Sequence, residues 1–325
     1  MSALDPVFDS GAGALAAAVN RGEVDLGELE EAIVERLGRA PRGSLLAVDT
    51  DGVGEQLREL ARRLADGERP RLAGVPVAHK DLFDTVRFPT TYGNPALGSR
   101  PERDAVAVTR IAEQGAIQVG KANCHEIAFG VTGRNPHTGD VENPAAPGRM
   151  TGGSSSGSAA AVAAGVVLGS LGTDTGGSVR IPASCCGIVG VKTTRGAVPR
   201  TGVLPLSNLQ DSVGPLAGSV ADAAVFLDAI VGPDVDDAST LPVPNGWKAT
   251  PALGRLAHEL DGVELVLPRQ FWEGRVAAEV ATRCREAVER LEAEGAKLAE
   301  ADLPGLEAAR RAQATLLSVH ALVVH

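Results

Sequence analysis

The sequence predicts an α/β fold in which a mixed or mostly parallel β-sheet is covered by helices on both faces. Segments whose apolar residues recur every three or four positions alternate with short apolar runs, as helices alternate with buried strands. The 325-residue chain is 44% hydrophobic and 22% charged, which is typical of a globular protein with a sizeable core. Its 39 glycines and few aromatic residues favour helices packed closely on a sheet.

We expect the 325 residues to form a single domain made of four consecutive parts. N-terminal helices occupy residues 1–66, and a central core that contains the motifs discussed below occupies residues 74–231. A linker loop rich in Pro, Asp and Gly covers residues 232–250, and a strand and long helices occupy residues 251–325. The last helix ends in an apolar run without a closing Gly, Pro or charged turn, which indicates either a cut or a surface covered by a second copy or a partner chain.

The charge and the N-terminus exclude several classes of protein. A net charge of −10 argues against binding nucleic acid or an anionic membrane. Residues 1–11 lack a basic start and a long apolar stretch, and the run 159–168 is too short to span a bilayer, so we expect a cytoplasmic protein. The four cysteines lack metal-ligand spacing, and we expect neither a metal nor an organic cofactor.

Two glycine-flanked serine loops, residues 151–158 and 172–180, are the most informative part of the chain. Glycines beside a serine let the backbone take unusual angles and let a substrate approach the main chain. Successive amides in the second loop are expected to converge on one oxygen, as an oxyanion hole requires. These candidate donors are Thr175, Gly176, Gly177 and Ser178.

A serine nucleophile needs a base, and none of the six histidines has an obvious partner motif. Lys80 follows the apolar run 75–78 at the end of a predicted strand. Burial disfavours an ammonium and lowers its pKa, so a buried Lys80 is a candidate base. The alternative is a lysine on an edge strand whose head group extends into solvent.

Taken together, the segments 74–84, 151–158, 172–182, 186–192 and 209–215 resemble the amidase signature family. The resemblance implies that Ser178 is the nucleophile, that Ser154 follows a cis peptide bond, and that Lys80 and Ser154 relay the proton of Ser178. It further implies hydrolysis of a linear C–N bond in a small-molecule amide through an acyl-enzyme, without a cofactor. Family members include simple amidases, ureide and carbamate hydrolases, and the glutamine-hydrolysing subunit of tRNA-dependent amidotransferases.

Residues around this predicted triad are expected to support it. Ser155 is placed to form a hydrogen bond within the serine loop. Asp174 and Arg180 flank the nucleophile and are expected to hold its loop by charge-assisted bonds, either as scaffold or as catalytic support. We expect a structural role for Asp211 and a helix start beside the pocket at Cys124, His125 and Glu126. We also expect segment 131–134 to line the acyl site. The residues expected to bind substrate are Gly130, Val131 and Thr132.

Two alternatives stay open at this point. Members of the family are longer, and we expect the C-terminal part of the family fold to be missing from this chain. The chain is then either an active enzyme or an inactive shortened homologue that acts as a binding partner. The segment Gly153-Ser-Ser-Ser-Gly157 also matches the nucleophile elbow of α/β-hydrolases, which would make Ser155 the nucleophile. An elbow requires a strand directly before it, and the prolines of segment 143–150 argue against one.

Overall fold

The computed structural model describes residues 4–240, 260, 262–271 and 276–325. The chain divides into two compact units, one formed by residues 1–253 and 317–325 and the other by residues 254–316. The predicted loop 232–250 is described only as far as residue 240, where a short 3₁₀ turn, Ala238–Thr240, ends it. The remainder of that loop lies outside the described residues, and the single-domain organisation stays a prediction.

The helices of the first unit follow from their sequences. Helix α3 shows how: the carboxylate of Asp25 accepts the amides of Gly27 and Glu28, as the sequence predicts for a helix N-cap. Leu29, Ile33 and Leu37 then face the core at helical spacing. The helices are α1 (Asp5–Asp9), α2 (Ala12–Asn20), α3 (Leu26–Leu37), α4 (Asp51–Ala65), α5 (Val106–Glu113), α6 (Ser156–Ala163), α7 (Arg180–Cys186) and α8 (Val220–Ile230).

A six-stranded mixed sheet forms the centre of the first unit. Its strands are β1 (Leu45–Val48), β2 (Pro76–Lys80), β3 (Ile117–Ala122), β4 (Gly169–Asp174), β5 (Val189–Gly190) and β6 (Ser212–Ala217), in the order β1-β3-β2-β4-β6-β5. Strand β2 runs parallel to both β3 and β4, whereas the pairs β1–β3, β4–β6 and β5–β6 are antiparallel. The predicted α/β fold with a mixed sheet is therefore confirmed.

Two glycines of β4 show how helices cover both faces of this sheet. A Cβ on Gly169 would lie 2.0 Å from the ring of Phe226 in α8. A Cβ on Gly172 would lie 2.7 Å from Oγ of Ser155, the residue that precedes α6. Because strand residues three positions apart point to opposite faces, α8 and the start of α6 cover opposite sides of β4.

Strands β2 and β4 end at the same edge of the sheet because they are parallel neighbours. Lys80 is the last residue of β2 and Asp174 is the last residue of β4. Both strands are buried along their whole length. The fold thus brings the predicted base and the start of the predicted nucleophile loop to one edge.

The second unit contains two parallel strands, β7 (Glu264–Pro268) and β8 (Lys297–Ala301), with helix α9 (Ala278–Ala293) between them in sequence. Helix α10 (Leu306–Val324) begins in this unit, and its residues from 317 onwards belong to the first. Within the first unit, Leu317 and Ala321 of α10 contact a small apolar cluster that includes Leu82 and Leu206. None of the helices in the described part of the chain is long and apolar enough to cross a membrane.

The contact between Gly169 and Phe226 predicts a large effect from a small substitution. We expect Gly169→Ala to lower the free energy of unfolding by about 1–3 kcal/mol, because the buried ring must move. The measurement is chemical denaturation. Gly218→Ala is the matched control, since a Cβ there meets no atom within 4 Å and the φ of Gly218 lies outside the left-handed region. Equal stability of the two variants would contradict this description of the core.

Candidate active site

Lys80 and Ser154 meet at the carboxyl edge of the sheet. Lys80 is fully buried, and its Nζ lies 2.7 Å from Oγ of Ser154 and 2.7 Å from Oγ1 of Thr173. Strand β2 lies inside the sheet between β3 and β4. The alternative of an edge-strand lysine that extends into solvent is therefore wrong.

The environment of Lys80 brings its pKa towards neutrality. Burial lowers the pKa of Lys80 to about 8, although the nearby Cys124, Asp211 and Asp174 act in the opposite direction. About a tenth of the Lys80 side chains are then uncharged at pH 7, and most are uncharged above pH 9. An uncharged amine within hydrogen-bonding distance of a serine hydroxyl can accept its proton.

The two serine loops lie side by side through main-chain hydrogen bonds. The peptide bond between Gly153 and Ser154 is cis, as the resemblance implies. The Ser154 carbonyl accepts the amide of His125 at 3.0 Å, and the amide of Ser155 donates to the carbonyl of Ser178 at 3.1 Å. These contacts join the loop that carries Ser154 directly to the residue predicted to be the nucleophile.

Asp174 organises the loop around Ser178. Its carboxylate accepts the amides of Gly177 at 2.8 Å and Val179 at 3.2 Å, which flank Ser178 on both sides. The Arg180 guanidinium donates two further bonds, at 3.0 and 2.9 Å, so the predicted charge-assisted bonds are confirmed. Burial tends to raise the pKa of Asp174, but the bonds from Arg180 and the two amides outweigh it and hold that pKa below its ordinary value.

The Ser178 hydroxyl is nearly buried and is not engaged elsewhere. Its side chain forms no hydrogen bond with any of the residues that the structure describes, and Ser178 is 6% exposed. The amides of Thr175, Gly176 and Ser178 likewise have no acceptor among those residues, whereas the Gly177 amide donates to Asp174. Three of the four predicted oxyanion donors are thus unengaged.

A family model described as Amidase matches residues 28–323 of the chain. The chain belongs to the amidase family. It is 38% identical over 304 residues to the A subunit of glutamyl-tRNA(Gln) amidotransferase from Cupriavidus taiwanensis, covering 90% of this chain and 61% of that relative. The corresponding protein of Anaeromyxobacter dehalogenans is 42% identical over 302 residues, covering 91% of this chain and 59% of the relative.

Solved structures of the amidase family share the fold. The structure superposes on peptide amidase from Stenotrophomonas maltophilia with a TM-score of 0.88 and 33% sequence identity, covering 97% of this chain and 66% of that enzyme. The chain therefore spans about three fifths of the curated relatives and two thirds of this solved relative. The predicted resemblance to the amidase signature family is confirmed, and so is the prediction that the chain is shorter than its relatives.

Membership in the amidase family agrees with the geometry in rejecting the nucleophile elbow. Residues 141–155 contain no strand. Ser155 therefore does not lie at a turn between a strand and a helix, as an elbow requires. The Ser155 hydroxyl instead donates to the carbonyl of Thr173 at 3.4 Å. The Ser155 hydroxyl thus bonds to the second serine loop, residues 172–180, because it lies next to Gly172 near the end of β4.

Sequence reasoning missed Thr173, the second partner of the Lys80 amine. The available signal was a hydroxyl residue near the end of a buried strand, immediately before Asp174. Asp211 has the structural role expected for it: its carboxylate accepts the Thr175 hydroxyl at 2.6 Å and the amides of Leu206 and Ser207 at 2.8 and 2.9 Å. Asp211 therefore fixes Thr175, the first residue after β4.

The segment predicted to bind substrate packs against the serine loop. The carbonyl oxygen of Gly130 and the amide nitrogen of Gly133 lie 3.2 and 2.9 Å from the position of a Cβ on Gly153. His125 precedes a 3₁₀ turn, Glu126–Ala128, at the place where a helix start beside the pocket is expected. Substrate contacts by Gly130, Val131 and Thr132 stay a prediction. Among the described residues, no group of three or more His, Cys, Asp or Glu side chains is arranged to hold a metal ion.

The bonds to Asp174 predict a strong effect of neutralising it. We expect Asp174→Asn to lower the free energy of unfolding by about 2–4 kcal/mol, because a buried charge with several donors becomes a neutral amide that repels some of them. The wild-type contribution is present above the pKa of an unfolded aspartate and is lost as the pH falls through the lowered folded pKa. Denaturation at several acidic and neutral pH values measures both effects.

Arg180→Ala is the control for this substitution. Because the Arg180 side chain is 53% exposed, water replaces it beside the carboxylate, and the loss of stability should be smaller. If Asp174→Asn were as stable as the wild type at neutral pH, the carboxylate would not be what organises this loop.

Proposed function

We propose that this chain carries an amide-hydrolysing centre in which Ser178 is the nucleophile and Lys80 and Ser154 relay its proton. The observation that supports it most directly is the 2.7 Å contact between the buried Lys80 amine and the Ser154 hydroxyl. A lysine with a pKa of about 8 that touches a serine, beside a second serine in a glycine loop, is an arrangement suited to general-base catalysis.

The first step would transfer two protons along the relay. Uncharged Lys80 accepts the proton of the Ser154 hydroxyl, and Ser154 accepts the proton of Ser178. The Ser178 oxygen attacks the carbonyl carbon of the amide and forms a tetrahedral intermediate. The unengaged Ser178 hydroxyl supports this role, because no existing bond has to break before it turns towards Ser154 or the substrate.

The negative charge that develops on the carbonyl oxygen needs hydrogen-bond donors. The sequence offers four candidate amides, and the Gly177 amide is occupied by Asp174. We assign the oxyanion hole to the remaining amides, those of Thr175, Gly176 and Ser178. Asp174 and Asp211 would act from outside the pocket by holding the loop in the shape that aims these amides.

Collapse of the intermediate completes the acylation. The C–N bond breaks, the relay returns the proton from Lys80 through Ser154 to the leaving nitrogen, and ammonia or an amine departs. Water then attacks the ester of Ser178 and gives its proton to the relay. The carboxylate product leaves, and Ser178 recovers its proton, so the enzyme returns to its starting state.

The substrate class is the finer part of the proposal. A small-molecule amide is our first candidate, in keeping with the similarity to peptide amidase. The second candidate is a glutamine-hydrolysing subunit, favoured by 38–42% identity to the A subunit of glutamyl-tRNA(Gln) amidotransferase. Such a subunit works with other chains. At the end of α10 the apolar residues Leu322 and Val323 are 83% and 78% exposed to solvent, and this is where we expect a second copy or a partner chain to bind. Ureide and carbamate hydrolysis stay as further alternatives.

Labelling with a fluorophosphonate probe tests the nucleophile. We expect covalent modification of Ser178 in the wild type and none in Ser178→Ala. Because the relay activates the nucleophile, Lys80→Ala and Ser154→Ala should each slow labelling and amide hydrolysis by about 10²–10⁴-fold. Peptide mapping by mass spectrometry identifies the modified residue.

Ser155→Ala and Ser156→Ala are the matched controls within the same loop. Each should retain labelling at Ser178, since of the three serines only Ser154 touches the Lys80 amine. Labelling at Ser155 would revive the elbow mechanism. A folded wild type that neither labels nor hydrolyses amides would favour the inactive homologue that acts as a binding partner.

The pKa of Lys80 predicts the pH dependence of hydrolysis. Since the uncharged amine is the base, kcat/KM should rise about tenfold per pH unit below pH 7 and level off above a midpoint near 8. A stopped assay on a primary amide from pH 5.5 to 10 gives this profile. A rate that stays constant down to pH 5.5 would mean that Lys80 is not the base.

A further inference from the structure

The imidazole of His125 occupies the space where a side chain of residue 130 would project. A Cβ on Gly130 would lie 2.1, 2.3 and 2.4 Å from Nε2, Cε1 and Cδ2 of that ring. The φ of Gly130 lies outside the left-handed region that favours glycine. A left-handed backbone therefore does not require glycine here, and the ring itself occupies the place of a side chain.

The same segment, the loop Gly130–Gly133, also packs against the serine loop. Gly130 and Gly133 contact the backbone at Gly153, the residue before Ser154. A Cβ on Gly133 would lie 2.7 Å from the carbonyl oxygen of Gly152 and 2.9 Å from Cβ of Ser156. The loop thus lies next to both the His125 ring and the backbone that carries Ser154.

The position of His125 is itself strongly fixed. Its amide donates to the carbonyl of Ser154 at 3.0 Å. The turn that follows holds Ile127 and Ala128 at φ values of 44° and 63°, and the Ile127 amide donates to the carbonyl of Tyr92, whose φ is 60°. Positive φ costs about 1–3 kcal/mol for such residues and persists only where the surroundings determine it. This turn therefore aims the ring at Gly130.

The ring contributes shape rather than charge or hydrogen bonding. Its Nδ1 is buried and has no hydrogen-bond partner among the described residues. Burial lowers the pKa of His125, with Lys80 acting in the same direction and Glu126 and Asp140 opposing it. The environment therefore favours the uncharged imidazole.

We propose that His125 is a positioning residue that clamps the loop Gly130–Gly133 against Gly153 and thereby sets which acyl groups fit beside Ser154 and Ser178. This proposal rests on the proposed function, because it takes the loop to line the acyl pocket. Removing the ring lets the loop retreat from Gly153 and widens the pocket. Adding a methyl group to residue 130 while the ring stays pushes the loop towards Gly153 and narrows it.

A double-mutant cycle tests the clamp. We expect His125→Ala to raise the ratio of kcat/KM for hexanamide over acetamide by about tenfold, within the range that one or two methylenes of pocket space produce. Gly130→Ala should lower that ratio by a similar factor. The double variant His125→Ala/Gly130→Ala should return close to the wild type, since the methyl group then occupies the space that the ring has left.

His125→Phe separates shape from imidazole chemistry. It keeps a planar ring, so it should retain the wild-type ratio and the wild-type pH profile. Gly218→Ala is the control for a glycine-to-alanine change, because no atom lies within 4 Å of its Cβ. A double variant that is no better than Gly130→Ala, or a Phe variant that behaves like His125→Ala, would overturn the clamp.

A second readout needs no catalysis. Arg134 follows the loop directly and its side chain is 81% exposed, so trypsin cleavage after Arg134 reports how firmly the loop is held. Cleavage should accelerate in His125→Ala, where the loop retreats from Gly153. It should not accelerate in Gly130→Ala, where the ring and the methyl group press the loop towards Gly153, and it should return to the wild-type rate in the double variant. If this pattern appears while the wild type shows neither Ser178 labelling nor hydrolysis, the clamp stands and the proposed function fails. If cleavage rates are the same in all variants, the clamp fails, whatever the activity.

Discussion

A lysine buried at the end of a central strand is the constraint on which the rest of this site depends. An ammonium in such a place is costly to desolvate, and the protein can either pair it with a carboxylate or let it lose its proton. Lys80 has hydroxyl partners, Ser154 and Thr173, and no carboxylate within ion-pair distance among the described residues. Its environment therefore lowers the pKa of the ammonium to about 8, so that a fraction of the amine is uncharged near neutral pH.

The neighbouring strand β3 provides the contrast. Lys121 is also buried, but its Nζ lies 3.5 Å from the carboxylate of Asp81 and binds the Phe83 carbonyl and the Thr90 hydroxyl. Lys121 pairs in register with His79, so it faces the side of the sheet opposite to Lys80. Burial lowers the pKa of Lys121 as well, yet Asp81 opposes that effect. Two buried lysines in neighbouring strands thus have different partners: Lys121 has a carboxylate, whereas Lys80 has two hydroxyl groups.

The assignment of Lys80, Ser154 and Ser178 as a triad rests on the resemblance to the amidase signature family. The fold class could be predicted from the sequence alone, because it rests on local patterns of alternating apolar periodicity. The roles of Ser155 and Thr173 could not. Three consecutive serines look equivalent in sequence, but Ser154 reaches the Lys80 amine, Ser155 turns to the Thr173 carbonyl and the Ser156 hydroxyl is buried without a partner among the described residues. Which one meets the lysine depends on the backbone path between the two serine loops, and residue spacing does not encode that path.

The availability of the Ser178 hydroxyl also follows from tertiary contacts. Asp174 accepts the amides on either side of Ser178 and Asp211 accepts the hydroxyl of Thr175, so these three neighbouring donors are satisfied without the Ser178 oxygen. Without these carboxylates, the same donors would compete for the Ser178 oxygen as their acceptor. Here the carboxylates remove that competition, and Ser178 is left with its hydroxyl uncommitted beside Ser154. Asp174 and Asp211 therefore have two effects on this loop. They hold its shape, and they accept hydrogen bonds from donors that would otherwise bind the Ser178 oxygen.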